Sequence, residues 1–109
     1  MSNYQIWCQN LFDFWQQKEI TKIVGLFSDD VIYYEEPNHQ ISYNDLEEVW
    51  TEIKNQDTTN LQFKILVEEN NKCVANFLLK GEKTYDMIYE IELNEENMCR
   101  YFKQWYMEY

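Results

Sequence analysis

Two adjacent acids, Glu35 and Glu36, stand directly before the only proline of the chain, Pro37. A residue that precedes proline is held extended, so Glu36 is expected to leave the end of a strand in a fixed direction. Alternation would place it on one face with Ile32 and Tyr34, as a pocket carboxylate with a raised pKa that could transfer a proton. The alternative is a strand-end carboxylate in water. Glu35 would point to the opposite face, which argues against a catalytic pair.

Other groups that could do chemistry are few. His39 is the only histidine, and together with Glu35 or Glu36 it would supply too few ligands for a dedicated metal site, so no metal is expected. Arg100, the only arginine, could bind a ligand carboxylate or form a structural ion pair with one of the many acids. Two glycines cannot build a phosphate-binding loop, and no Ser-His-Asp or Cys-His arrangement is readable. No cofactor is predicted.

The aromatic content is the strongest remaining signal. Aromatic residues make up 17% of the chain, and so many large rings in a small domain must either fill the core or line a pocket and an interface. A pocket with such walls would take a flat or apolar small molecule. The residues predicted to contact this ligand are Phe12, Trp15, Tyr34, Trp50, Phe63 and Trp105, with Tyr34 and Tyr89 as possible hydrogen-bond donors.

Charge and composition limit the partners. The formal net charge is −11, and without a basic stripe nucleic-acid binding is not expected. An anionic membrane would be repelled, no window is long enough to span a bilayer, and a basic protein partner would be favoured. Three widely spaced cysteines, Cys8, Cys73 and Cys99, indicate reduced thiols. Since no signal peptide is apparent either, we predict a cytoplasmic protein.

The periodicity predicts one α+β domain over residues 1–109 with the order ααβαββββ. We expect strand 1 over Val31–Glu36 after an acidic turn at Ser28–Asp30, a polar loop over Pro37–Ser42, and a third helix capped by Asn44. Four strands joined by tight turns follow, and together they predict helices packed on one strongly curved antiparallel sheet. The predicted helices 1 and 2 span residues 3–18 and 20–27, and the last four strands span 61–68, 73–80, 85–93 and 98–109.

This order of elements resembles the nuclear-transport-factor-2-like superfamily, and in particular its small bacterial SnoaL-like members. The resemblance rests on Trp15 at the end of the first helix, the run LFSDDVIYYEEP, the segment DLEEVW and the closing strand with Trp105 and Tyr106. It covers essentially the whole chain, although Ser42-Tyr43 stands where the family often has a glycine. The resemblance implies a cone whose sheet wraps the first helix and leaves a pocket at its open end. It also implies a homodimer formed through the outer face of the sheet.

Within that superfamily the chain can be compared with the ketosteroid isomerases. Their general base directly before a proline corresponds to Glu36, but their oxyanion tyrosine falls on Phe12, which cannot donate a hydrogen bond. Their oxyanion acid falls on Glu90 by counting, whereas strand parity would place Tyr89 there instead. Steroid isomerisation is therefore not expected.

Two classes of function follow from the sequence. The first is a SnoaL-like small-molecule pocket protein in which Glu36, if the protein is an enzyme, transfers a proton. The second is a non-catalytic interaction protein, such as an acidic immunity protein that neutralises a basic toxin. A biosynthetic operon beside the gene would support the first class, and a neighbouring toxin gene would support the second.

Overall fold

The computed structural model describes residues 1–36 and 38–109, so the predicted role of Pro37 lies outside the described residues. Helices α1 (Asn3–Gln17) and α2 (Ile20–Val24) lead into strand β1 (Phe27–Tyr34) and the short strand β2 (Gln40–Ile41). A 3₁₀ turn over Tyr43–Asp45, helix α3 (Leu46–Thr51) and a second 3₁₀ turn over Glu52–Asn55 follow. The remaining strands are β3 (Leu61–Glu68), β4 (Cys73–Leu79), β5 (Tyr85–Leu93) and β6 (Cys99–Glu108).

The six strands form one sheet in the order β2-β1-β6-β5-β4-β3. All pairs are antiparallel except β1 with β6, which is parallel. A parallel neighbour arises because the helical segment after β2 and the β3–β5 meander carry the chain back to the far side of β1. The predicted α+β fold of helices on a curved, mostly antiparallel sheet is confirmed.

The start of β1 differs from the prediction. The predicted acidic turn at Ser28–Asp30 lies inside the strand, which begins at Phe27. Cys99 holds this segment, because its backbone N–H donates to Leu26 at 2.8 Å and its carbonyl accepts from the buried Ser28 hydroxyl at 3.1 Å. Pairing with β6 thus holds Phe27 and Ile32 at the two ends of the segment, and the register shifts between them, so the acids lie in an irregular stretch of the strand.

Two further boundaries differ. Helix α3 is not capped by Asn44: a 3₁₀ turn precedes it and the helix begins at Leu46, with the Ser42 hydroxyl 3.1 Å from the Asp45 carboxylate. The predicted polar loop contains β2, whose residues pair with the end of β1. Glu36 has φ of 71° and so is not extended, because a tight turn joins the two strands and the carbonyl of Glu36 accepts from the N–H of His39 at 3.3 Å.

The core lies between α1 and the inner face of the sheet. Phe102 is fully buried at its centre and stacks on Tyr33, with ring centroids 4.9 Å apart and planes 20° apart. Its other ring neighbours are Trp7, Phe27 and Tyr89, at 4.5 to 6.2 Å. Helix α1 is tied to the same layer, because the Trp7 indole donates to the carbonyl of Leu26 at 3.0 Å.

The outer face of the sheet carries apolar side chains in contact with solvent. Ile32 and Trp105 are exposed, and Tyr34, Ile88 and Tyr101 are half-buried. The Lys103 ammonium lies over the Tyr34 and Trp105 rings, at 5.7 and 4.8 Å from their centroids. Among the described residues, no helix combines the length and the apolar character needed to cross a bilayer.

Replacing Phe102 by alanine should lower the free energy of unfolding by about 3–5 kcal/mol, because the cavity left among four rings cannot collapse. Urea unfolding followed by circular dichroism measures the change. Tyr109→Ala, at a ring that is 65% exposed, is the control and should change stability by less than about 0.5 kcal/mol. Equal losses in the two variants would contradict this account of the core.

The predicted homodimer remains a prediction, and the outer face is where it would form. Light scattering at micromolar concentration should give about twice the chain mass of 13.5 kDa. Trp105→Glu should shift the protein to monomer, because a charge would be buried in the contact. Ile6→Glu, at an exposed position on helix α1, should not. A monomer at every concentration would refute the prediction.

Candidate functional site

A cavity of about 230 Å³ lies between the inner face of the sheet and the segment from Val49 to Gln56. Its floor is aromatic and buried. The rings of Trp15 and Trp50 meet edge to face, with centroids 5.1 Å apart and planes at 87°. Tyr33 and Tyr89 are each 1% exposed and complete the floor. The cavity is too small for a drug-sized molecule and fits a small one.

The mouth of the cavity is acidic. Glu35 is half-buried, whereas Glu36, Glu52 and Glu108 are exposed. The Tyr106 hydroxyl donates to Glu36 Oε1 at 3.3 Å, and the negative charge of Glu36 raises the pKa of Tyr106. The cavity thus has an apolar aromatic end and a charged end. The other lining residues are Val49, Ile53, Gln56, Leu79, Tyr85, Met87 and Gln104.

Glu35 is the acid most affected by the site. Burial raises its pKa above the ordinary value of 4.5, and repulsion from Glu52 and Glu36 adds to that effect, while His39 acts in the opposite direction. The position of Glu35 follows from β1: Val31 and Tyr33 face inward, and the next residue in that phase is Glu35. Its N–H donates to the carbonyl of His39 at 2.9 Å, which fixes the backbone.

Two predictions about the acids are wrong: that Glu36 shares a pocket-facing row with Ile32 and Tyr34, and that Glu35 points to the opposite face. Ile32 and Tyr34 lie on the outer face, where Tyr34 packs against Tyr101 at 6.4 Å, so they form no pocket-facing row. Glu35 and Glu36 do not diverge to opposite faces. Both follow the last residue of β1 and both line the cavity, because the left-handed backbone of Glu36 turns the chain.

The other predicted residues divide by location. Trp15, Trp50, Glu36 and Tyr89 line the cavity. Phe12 and Phe63 do not, because they pack on each other at 5.3 Å and Phe63 stacks on Phe77 at 5.2 Å, to one side of it. Trp105 lies on the outer face, where its indole donates to Glu90 at 3.2 Å.

The choice between Glu90 and Tyr89 is decided by register. Tyr89 lines the cavity, and its hydroxyl donates to the Met87 sulfur at 3.4 Å. Burial raises the pKa of Tyr89 well above its ordinary value, with a smaller contribution from Glu35, so the phenol stays protonated and can donate. Arg100 pairs with Glu92 at 3.1 Å, outside the cavity.

The indole N–H groups of Trp15 and Trp50, at the floor of the cavity, differ in their hydrogen bonding. The Trp15 indole donates to Gln56 Oε1 at 2.9 Å. The Nε1–H of Trp50 is buried beside the Tyr33 hydroxyl, but no acceptor among the described residues completes a hydrogen bond with it. Across residues 1–36 and 38–109, no group of three or more His, Cys, Asp or Glu side chains is arranged to hold a metal ion.

Sequence reasoning missed Glu35, Glu52 and Tyr33 as cavity residues. The sequence did contain a signal for Glu35. Val31, Tyr33 and Glu35 are alternate residues, so an inward-facing Val31 and Tyr33 would have predicted an inward-facing Glu35. Glu52 lies in a 3₁₀ turn that the sequence did not suggest, so no signal marked it.

No family model matches the chain, and no curated protein matches it in sequence. Solved structures do resemble it. A candidate ketosteroid isomerase from Kribbella flavida aligns over 98% of this chain and 79% of its own, with a TM-score of 0.73 and 14% identity. A nuclear-transport-factor-2-like protein of unknown function from Burkholderia xenovorans aligns over 95% and 82%, with a TM-score of 0.79 and 9% identity.

A third similar structure is SalBIII, described as an epoxide hydrolase/cyclase-like enzyme in pyran ring formation. It aligns over 94% of this chain and 89% of its own, with a TM-score of 0.70 and 7% identity. Identities this low establish the fold and nothing finer. The chain therefore has the nuclear-transport-factor-2-like fold.

Proposed function

We propose that this protein binds a small, partly aromatic molecule in the cavity and that a carboxyl group at the end of β1 transfers a proton to or from it. One observation carries the proposal: Glu35, a carboxyl group with a raised pKa, faces a cavity floored by buried rings. Titratable groups shifted by burial and by a charged neighbour inside a cleft are characteristic of acid–base sites.

The floor supplies the other half of such a site. Tyr33 and Tyr89 keep their hydroxyl protons because burial raises both pKa values. Among the described residues, the Tyr89 hydroxyl donates to a thioether sulfur, which is a weak partner. A ligand oxygen would be a better acceptor, and a hydrogen bond to it would orient the molecule with its polar atom near the tyrosines and a proton within reach of the acids.

Glu36 remains the second candidate for proton transfer. It lies at the exposed mouth and accepts a hydrogen bond from Tyr106 at 3.3 Å. We propose Glu35 as the principal acid because it is the less exposed of the two and the one whose pKa is raised.

The comparisons support the class of function. Among the similar folds, one is a candidate ketosteroid isomerase and another is described in pyran ring formation, and both descriptions concern reactions of small molecules. Steroid isomerisation itself is not proposed, since Phe12 offers no donor and lies outside the cavity.

Glu35→Gln should raise the melting temperature at pH 7. The folded pKa of Glu35 lies above 4.5, so the folded protein holds this proton more tightly than the unfolded chain. The resulting stability is present below pH 4.5 and is lost as the pH rises through the folded pKa. Melts of both proteins at pH 4 and pH 7 measure the effect, and the gain should vanish at pH 4.

The control for this experiment is Glu95→Gln, in the exposed turn between β5 and β6, which removes one charge far from the cavity. It should leave the melting temperature unchanged relative to the native protein at both pH values. A gain at pH 7 that matches that of Glu35→Gln would show that net charge, and not the site, sets the effect.

Binding in the cavity can be read from the four indole N–H resonances. Small aromatic probes of neutral, cationic and anionic type should shift the signals of Trp15 and Trp50, which line the cavity. The signals of Trp7, in the core, and Trp105, on the outer face, should not move. Val49→Phe should weaken binding at least about fivefold, because the larger side chain fills the cavity.

The matched control is Val67→Phe, the same substitution at an exposed position outside the cavity. It should leave binding unchanged. If no probe at millimolar concentration moves the Trp15 or Trp50 signal, the proposed function is wrong.

A further inference from the structure

The charges around the cavity are unbalanced. Every charged residue among its described lining is an acid. Glu108 has a partner, the Lys83 ammonium at 2.9 Å, but no ion pair among residues 1–36 and 38–109 involves Glu35, Glu36 or Glu52. Three carboxylates thus converge on one opening, and no cation of the described residues is in ion-pair contact with them.

This arrangement is costly to the protein, and the cost is visible at Glu35. Burial raises the pKa of Glu35, repulsion from Glu52 and Glu36 raises it further, and His39, an exposed loop residue, acts against them. Negative charge also reaches the floor, since Glu35 raises the pKa of Tyr33 and Tyr89. A positive group placed at the mouth would offset the part of these shifts that comes from repulsion between negative charges.

The floor suits a cation as well. Trp15, Trp50, Tyr33 and Tyr89 line the cavity below the acids, and the rings of Trp15 and Trp50 meet edge to face. The face of an aromatic ring is negative and attracts organic cations, most strongly when they are shielded from water. Acids at the mouth and rings at the floor therefore favour the same charge.

An independent observation, at the Trp50 indole, points to a ligand that carries a hydrogen-bond acceptor. Trp50 is only 5% exposed and lines the cavity, and its Nε1–H lies beside the Tyr33 hydroxyl without completing a hydrogen bond to it or to any other described residue. A buried donor without a partner is destabilising and uncommon in native proteins. The missing acceptor would come from the ligand.

We infer that the cavity takes a small organic cation: a protonated amine on an aromatic or apolar body that also carries a hydrogen-bond acceptor. This inference rests on the proposed function, because it assigns the charge of the molecule bound in the same cavity. In the bound state the ammonium group lies among Glu35, Glu36 and Glu52, and the aromatic or apolar body of the ligand lies on the aromatic floor. The ligand's acceptor accepts a hydrogen bond from the Trp50 Nε1–H.

The test uses three probes of nearly equal shape: 4-methoxyphenethylamine, 2-(4-methoxyphenyl)ethanol and 4-methoxyphenylacetate. Each is titrated at pH 7 and low salt while the Trp15 and Trp50 indole signals are followed by NMR. The amine should bind at least about tenfold more tightly than the alcohol, and the acid should bind most weakly. The Trp50 N–H should move downfield as it gains an acceptor.

Variants separate local charge from net charge. The double variant Glu35→Gln, Glu52→Gln keeps the side-chain shapes, and it should lose about tenfold in affinity for the amine and less than about twofold for the alcohol. The double variant Glu95→Gln, Glu96→Gln removes two charges from the exposed turn between β5 and β6, so it has the same net charge as the first. It should bind the amine as the native protein does.

The outcomes keep the two proposals apart. If the alcohol binds as tightly as the amine and shifts the Trp15 and Trp50 signals, the cation assignment is overturned while the binding cavity stands. If the acid binds most tightly, the assignment is likewise overturned. If none of the three moves either signal, the proposed function fails and the assignment fails with it. A loss of amine binding in both double variants would show that the overall field, and not the cavity, selects the charge.

Discussion

The parallel pairing of β1 with β6 is the constraint on which the cavity depends. It joins Tyr33 to Phe102 across the sheet and stacks their rings 4.9 Å apart, in the centre of the core. Once Tyr33 is held inward, period-2 alternation carries Glu35 inward too. The strand ends at Tyr34, and a turn through the left-handed backbone of Glu36 brings a second carboxylate to the same opening. One ring stack thus fixes the direction of the acids that lie just beyond it.

The cavity combines an apolar aromatic floor with an acidic mouth, and the apolar floor disfavours the charges at the mouth. Buried rings lower the effective dielectric constant of the floor, and that raises the free energy of nearby charged groups. Glu35 lies at the boundary, half-buried beside Glu52, and its raised pKa records both burial and repulsion. Such a group exchanges a proton more readily near neutral pH than a solvated carboxyl does. The stability lost by leaving Glu35 unpaired is the kind of local conflict that folds tolerate at functional sites.

Much of the fold was predictable because it depends on short-range signals. The alternation in β3, β4 and β5 agrees with the strands observed, with ends within one residue, and the helix over Asn3–Gln17 follows from its apolar spacing. The site was less predictable. Val31 and Ile32 are both aliphatic and Tyr33 and Tyr34 are both tyrosines, so either phase of β1 presents an apolar face. A one-residue change of phase exchanges every residue between the faces, and nothing local to the strand decides between them.

By itself, the sequence determined the fold class and the presence of acids at the end of β1. Its ring content predicted an aromatic pocket, but it did not separate Trp15 and Trp50, which line the cavity, from the four other rings that were predicted with them. The tertiary structure alone decided which acid is buried, that Tyr34 and Trp105 lie on the outer face, and that Glu52 from a 3₁₀ turn faces Glu35. The physical reason is that facing and proximity depend on pairing between residues about 70 positions apart, such as Tyr33 with Phe102, and on burial that such pairing creates.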